Sequence, residues 1–172
     1  MIGLSPLPAW GPHPDVWLVV VVLEGLYLWS VRTAARRAAE RGEPSPTSRR
    51  QIVNYSLGVL AIWIASDWPV DELADHYLFS VHMIQHMLLA FAAAPLMLRG
   101  MPDWMLRRLL APRPVFQVMR QLTRPFVALV LFNLVGVVIL HWPFMVQASL
   151  EHEPIHFLIH TGVFATAFLM AA

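Results

Sequence analysis

The sequence contains no cysteine, which removes the thiolate ligands of cysteine zinc sites and of iron–sulfur clusters. Lysine is also missing, so all twelve basic residues are arginines. Charged residues make up only 13% of the chain, against 58% for hydrophobic residues. In a soluble domain roughly a quarter of the residues are charged, so this composition excludes that class. There is no nucleotide-binding loop, serine-nucleophile motif or internal repeat, and nothing predicts a nucleic-acid partner.

Long segments without formal charge dominate the chain. Residues 77–98, 126–150 and 154–172 carry none, and residues 16–31 carry only Glu24. A helix rises about 1.5 Å per residue, so each uncharged segment can cross about 30 Å of hydrocarbon. Residues 1–15 lack the basic flank of a signal peptide. We predict an all-α, polytopic transmembrane helix bundle, a single domain over residues 1–172, with five spans at about 15–31, 51–68, 76–98, 125–142 and 154–172.

The arginines lie in only two segments, 32–50 and 99–124, which follow the first and third predicted spans. The other two connections carry acidic residues instead, such as Asp67 and Glu151. Because arginine-rich loops stay in the cytoplasm, we predict that the N-terminus is outside and the C-terminus inside. Within the second segment, residues 104–110 and 115–122 are expected to form ordinary anchoring loops. The alternative is a pair of short interfacial helices with arginines toward lipid phosphates.

All of the eight histidines except His13 lie in or beside the apolar runs. An imidazole is costly in hydrocarbon and binds metals readily. In the predicted topology three helix ends bring most of these histidines to the outer leaflet or its surface, with His86 near the midplane. His82 and His86 are four residues apart and share a helix face, as do His156 and His160. The candidate metal ligands are His82, His86, His141, His152, His156 and His160, whereas His76 lies beside them at the surface.

The ligand chemistry favours copper without excluding other metals. Met83, Met87 and Met145 lie near the same depth and offer thioether ligands. Imidazole with thioether favours copper, whereas imidazole alone also suits zinc or iron. In an alternative without metal, the histidines hydrogen-bond across helices or line a wet cavity.

One motif match is rejected. Residues 152–156 fit the H-E-x-x-H pattern of zinc peptidases, which needs both histidines on one continuous helix. Pro154 lacks a backbone donor and clashes with the preceding turn, so it fits better as the first residue of the fifth span. The peptidase interpretation is therefore excluded.

Two alternative functions and the role of Glu24 remain open. An intramembrane hydrolase would hold zinc on three histidines and activate water with Asp67 or Asp75. A haem-binding electron carrier would need histidines on two helices at matched depth, such as His82 and His160. Glu24, near the middle of the first span, either packs as a shielded carboxylate on another helix or admits protons or metal.

The segment at residues 80–89, SVHMIQHMLL, followed by Pro95, Leu96 and Gly100, resembles the signature of the polytopic CtaG-like cytochrome c oxidase assembly family. Residues 27–28 are similar to its first span, and residues 141–143 with the three following histidines resemble its fourth and fifth. Family members usually have more spans, so the chain resembles either a short member or one that lacks C-terminal spans of a longer fold.

The resemblance implies an assembly factor rather than an enzyme. Its expected role is to mature a haem–copper oxidase, with cytochrome c oxidase subunits as partners and copper handled at the outer face. The implied location is the bacterial plasma (inner) membrane, which the chain would cross several times.

Overall fold

The computed structural model describes residues 13–70, 73, 79–139, 142–151 and 153–172, and all regular structure in these ranges is helical. The all-α prediction is thus confirmed. The helices are α1, Pro14–Glu40; α2, Arg49–Ser66; α3, Phe79–Met87 followed without a break by Leu88–Ala93 and Ala94–Gly100; α4, Asp103–Leu109; α5, Arg113–Leu122; α6, Pro125–Leu131 continued by Phe132–Ile139; α7, Pro143–Glu151; and α8, Glu153–Ala171.

Within the described ranges, two helices are long and apolar enough to cross a membrane, α1 and the Ser80–Gly100 part of α3. A third span results if α5 and α6, which are bent by 77° relative to each other, count as one. Helices α2 and α8 cover most of the second and fifth predicted spans. The helices therefore support a membrane protein, whereas five spans with an external N-terminus stay a prediction.

The two arginine-rich connections lie at the same end of the bundle. The indole Nε1 of Trp104, on α4, donates to the hydroxyl of buried Thr47 in the α1–α2 connection at 3.1 Å. At the opposite end, Trp17 near the start of α1 donates to the carboxylate of Asp67, which caps the end of α2, at 2.9 Å. Helices α1 and α2 are therefore antiparallel. The second arginine segment forms helices α4 and α5, which agrees with the helical part of the alternative interpretation, whereas their position at a membrane interface stays a prediction.

Helix α3 contains a π-helical stretch, Leu88–Ala93, directly before Pro95. Proline has no backbone N–H, and in a regular α-helix its ring would clash with the carbonyl of the residue four positions earlier. A wider turn at this point removes that clash and lets the helix continue to Gly100. The N-terminal half of α3, with His82 and His86, is thus joined to the C-terminal half without a break.

Close approach between α2 and α3 forms the inner core. A Cβ at Gly58 would lie 2.9 Å from the backbone nitrogen of Met97, and one at Gly100 would lie 2.6 Å from the Cα of Tyr55. The Tyr27 ring stacks on Tyr55 with centroids 3.8 Å apart, and its hydroxyl donates to the Gly100 carbonyl at 2.8 Å. Small residues at such contacts allow helices to pack tightly where lipid removes the hydrophobic driving force.

A second core joins α3 to α8. It contains the buried residues Ala90, Ala94, Ile159, Val163 and Ala167. Residues 82, 86 and 90 follow one another at intervals of four, so the face of α3 that packs on α8 continues outward into the two histidines. On α8, His160 is next to buried Ile159. The apolar core therefore positions imidazoles from two helices at its edge nearest the starts of α3 and α8.

Candidate metal centre

Three histidines from α3 and α8 converge. His82, His86 and His160 each offer a ring nitrogen, and these nitrogens lie within 4.8 Å of one another. The His82 and His86 ring centroids are 4.3 Å apart, and those of His86 and His160 are 5.0 Å apart. The third pair, His82 and His160, is 5.9 Å apart. The i,i+4 spacing on α3 accounts for the first pair, and the α3–α8 contact accounts for the other two.

The dimensions of this histidine cluster, defined as His82, His86 and His160, suit a metal ion. A metal–imidazole bond is about 2 Å long, so two nitrogens on one ion are at most about 4 Å apart. Small rotamer changes close the difference from 4.8 Å. His86 is only 5% exposed, whereas His82 and His160 are half-buried. The Nε2 atoms of His86 and His160 are both buried, so the cluster is closed on the side of the apolar core and most accessible at His82.

Gln85 anchors this part of α3 against α2. Its side chain is fully buried, and its amide Nε2 donates to the carbonyl of Ala65 at 2.6 Å. Ala65 lies in the last turn of α2, where carbonyls have no intrahelical partner. The bond therefore satisfies a helix-end acceptor and fixes the rotation of α3 beside His86. Gln85 has no predicted role from the sequence, although a polar side chain between two predicted ligands was a usable indication.

The carboxylate of Asp67 is engaged by hydrogen-bond donors. It accepts from the indoles of Trp17 and Trp63 and from the backbone amide of Trp68. These contacts tie the start of α1 to the end of α2. They favour an anchoring role for Asp67 over the water-activating role of the hydrolase alternative, while Asp75 lies outside the described residues.

The remaining predicted ligands are not placed by the structure. His141 and His152 lie outside the described residues, as does His76 beside them, and His156 lies in α8 with its side chain outside them. Their part in a metal site stays a prediction.

Pro154 lies in the first turn of α8, which begins at Glu153 just after His152. This position agrees with rejection of the peptidase motif.

The methionines occupy three different environments. Met83 is half-buried, Met87 is 58% exposed, and Met145 packs against the α3–α8 core. That range is typical of flexible apolar side chains that fill gaps. Thioether ligation also stays a prediction.

Glu24 faces α2 rather than open lipid. Its Oε1 accepts a hydrogen bond of 2.6 Å from the Ser56 hydroxyl, and its Oε2 is buried without a hydrogen-bond partner among the described residues. Of the two interpretations left open by the sequence, this contact favours a shielded carboxylate that packs on a neighbouring helix.

The family model for the cytochrome c oxidase caa3 assembly factor (Caa3_CtaG) matches residues 25–172. The chain belongs to this family. The suspected family membership is therefore confirmed, and the match includes all three histidines of the cluster as well as Gln85. No curated protein and no solved structure matches the chain. As a Caa3_CtaG member, the protein is an assembly factor for a cytochrome c oxidase, which makes such an oxidase its expected partner.

Proposed function

We propose that this assembly factor handles copper through the histidine cluster at the outer membrane face and delivers it during maturation of the oxidase. The observation that carries the proposal is the convergence of His82, His86 and His160 from two helices, with ring nitrogens within 4.8 Å. Imidazoles are energetically costly inside a membrane, so those that occur there usually belong to a functional site. Three of them at one point form a ligand set suited to copper, which is a cargo here.

The burial of the cluster suits a transfer site. His86 and the Nε2 atom of His160 lie on the closed side, whereas half-buried His82 gives the cluster its accessible side. A three-imidazole set leaves a coordination position open, which an external donor or an acceptor subunit can use in exchange. A fully enclosed site would hold copper more tightly but would release it slowly.

The proposed topology has five spans and an external N-terminus in the bacterial plasma membrane. Its support is that both arginine-rich connections lie at the end of the bundle opposite the histidines, as the Trp104–Thr47 bond indicates. Cytoplasmic arginine loops then place the cluster toward the outside.

Single-cysteine labelling tests this topology, because the chain has no cysteine of its own. Asp71→Cys and Glu151→Cys are expected to react with impermeant thiol reagents added to intact cells, whereas Arg41→Cys should react only after permeabilisation. The matched control is the parent chain without cysteine, which should stay unlabelled. Labelling of Arg41→Cys from outside with protection of Asp71→Cys would show the opposite orientation. It would also exclude delivery of copper from the outside to this cluster.

Metal analysis of detergent-purified protein separates copper from the alternatives. We expect about one copper per chain after exposure to copper and removal of weakly bound ions, with loss of most of it in His82→Ala. His13→Ala changes a histidine at the start of α1, outside the cluster, and should keep its copper. Zinc in place of copper would favour the hydrolase, and a Soret band would favour the haem carrier.

A further inference from the structure

Helix α5 has an apolar face of which Val115, Phe116 and Val118 are exposed among the described residues, whereas Met119 and Leu122 are half-buried. Its apolar side chains share one side of the helical wheel, and they are Val115, Phe116, Val118, Met119 and Leu122. Phe116 is 49% exposed and Val118 is 53% exposed. The opposite side carries Arg113, Gln117, Arg120 and Gln121. Such a strict separation of faces is typical of helices that lie in the plane of a membrane interface.

The angle between α5 and α6 gives the orientation. The two helices are bent by 77°, and α6 carries no formal charge along Pro125–Ile139. If α6 crosses the membrane as proposed, α5 lies nearly parallel to the membrane plane. A broken span that ran through both helices would instead place Arg113 and Arg120 in hydrocarbon, at a cost of several kcal/mol.

The charge around α5 is mainly positive, although the preceding helix α4 begins with Asp103. The segment from residue 104 to residue 150 contains no acidic residue, whereas its arginines are exposed at both ends of α5 and in the preceding helix. These arginines are Arg107, Arg108, Arg113, Arg120 and Arg124. Arginine side chains bind phosphate through paired donors, and a cluster next to a membrane-spanning helix favours anionic lipid headgroups.

We propose that α5 docks on the bilayer as an interfacial helix, with its apolar face among the acyl chains and its arginines on the headgroups of anionic phospholipids. The surface would be specific for a lipid leaflet of negative charge. The proposal rests on α6 as a span but does not depend on copper. An amphipathic helix that senses lipid charge would couple the position of the α4–α5 connection to the composition of the membrane.

The test uses spin labels on single cysteines in full-length protein reconstituted into vesicles. Val115→Cys lies on the apolar face and Gln117→Cys on the polar face, so the pair forms a matched comparison. In vesicles of phosphatidylcholine with phosphatidylglycerol, the label at residue 115 is expected about 5–10 Å below the phosphates. It should collide often with oxygen and rarely with an aqueous nickel complex, and the label at residue 117 should show the reverse.

Lipid charge is tested by the Arg113→Gln/Arg120→Gln variant in the Val115→Cys background. Each arginine removed should lower the ratio of docked to undocked helix by about fivefold in anionic vesicles, with little change in pure phosphatidylcholine. Arg41→Gln is the control, because Arg41 lies in the other arginine segment and pairs with Glu43 at 3.0 Å.

Three results would overturn the proposal. Equal exposure of residues 115 and 117 to the nickel complex would show that α5 is not embedded. Docking that is insensitive to lipid charge would exclude recognition of anionic headgroups. Shielding of residue 115 only when oxidase is added would assign the face to a protein partner. Copper content should be normal in all of these variants, which separates this test from that of the proposed function.

Discussion

Replacement of both His82 and His160 by alanine is expected to abolish most copper-oxidase activity in the host while the variant accumulates to the normal level. Two of the three imidazoles would be lost, so the copper site would weaken steeply. Insertion should be unharmed because alanine is small, apolar and compatible with lipid. Oxidase activity of isolated membranes, measured beside the amount of the assembly factor, checks this expectation. Excess external copper should restore part of the activity by mass action.

Substitution by glutamine separates ligation from hydrogen bonding. A His82→Gln/His160→Gln variant keeps side chains that can hydrogen-bond across helices but that bind copper poorly. If the histidines only hydrogen-bonded, each would contribute under about 2 kcal/mol of packing and glutamine would retain the activity. We expect glutamine to fail as alanine does. Normal oxidase activity in the double alanine variant would contradict the copper-handling proposal.

Among substitutions outside the cluster that add a single methyl group, Gly100→Ala is expected to be the most damaging. Its new Cβ would lie 2.6 Å from both the Cα and the Cβ of Tyr55. Because backbone cannot move aside easily, α2 and α3 must separate, at a cost of about 3 kcal/mol of unfolding free energy. Separation would also strain the bond from the Tyr27 hydroxyl to the Gly100 carbonyl. Unfolding in detergent with increasing denaturant measures this loss.

Gly25→Ala is the matched control for that substitution. A Cβ at Gly25 would meet no heavy atom within 4 Å, and the residue lies inside α1. Alanine is the better helix former, so this variant should be unchanged or more stable by about 0.5–1 kcal/mol. Equal destabilisation by both substitutions would show that the tight α2–α3 contact is not what makes Gly100 sensitive.

The sequence predicted the parts of the histidine cluster that depend on spacing along one helix. Four-residue intervals placed His82 beside His86, and the alternation of arginine and acidic connections predicted that α3 and α8 begin at the same end. Uncharged runs likewise predicted the positions of α2, α3 and α8, whereas α1 continues to Glu40 and the run at 126–150 is divided between α6 and α7. These patterns are local or one-dimensional, so a single sequence contains them.

Contacts between helices could not be predicted in this way. That α8 meets α3 through Ala90, Ala94 and Val163 depends on small side chains fitting together, and no periodicity in the sequence specifies that partner. The bond from Gln85 to Ala65 depends on where α2 ends relative to α3. The π-helical stretch before Pro95 shifts the faces of α3, which a regular helical wheel does not reproduce.

X-ray absorption of the protein loaded with one equivalent of Cu(I) tests the central claim most directly. The proposal predicts three imidazole nitrogens at about 2 Å from the copper, with the multiple scattering that imidazole rings produce. It also predicts loss of one imidazole in His160→Ala and an unchanged spectrum in His13→Ala. Copper without imidazole scattering, or a spectrum that His160→Ala leaves unaltered, would contradict a copper site on His82, His86 and His160.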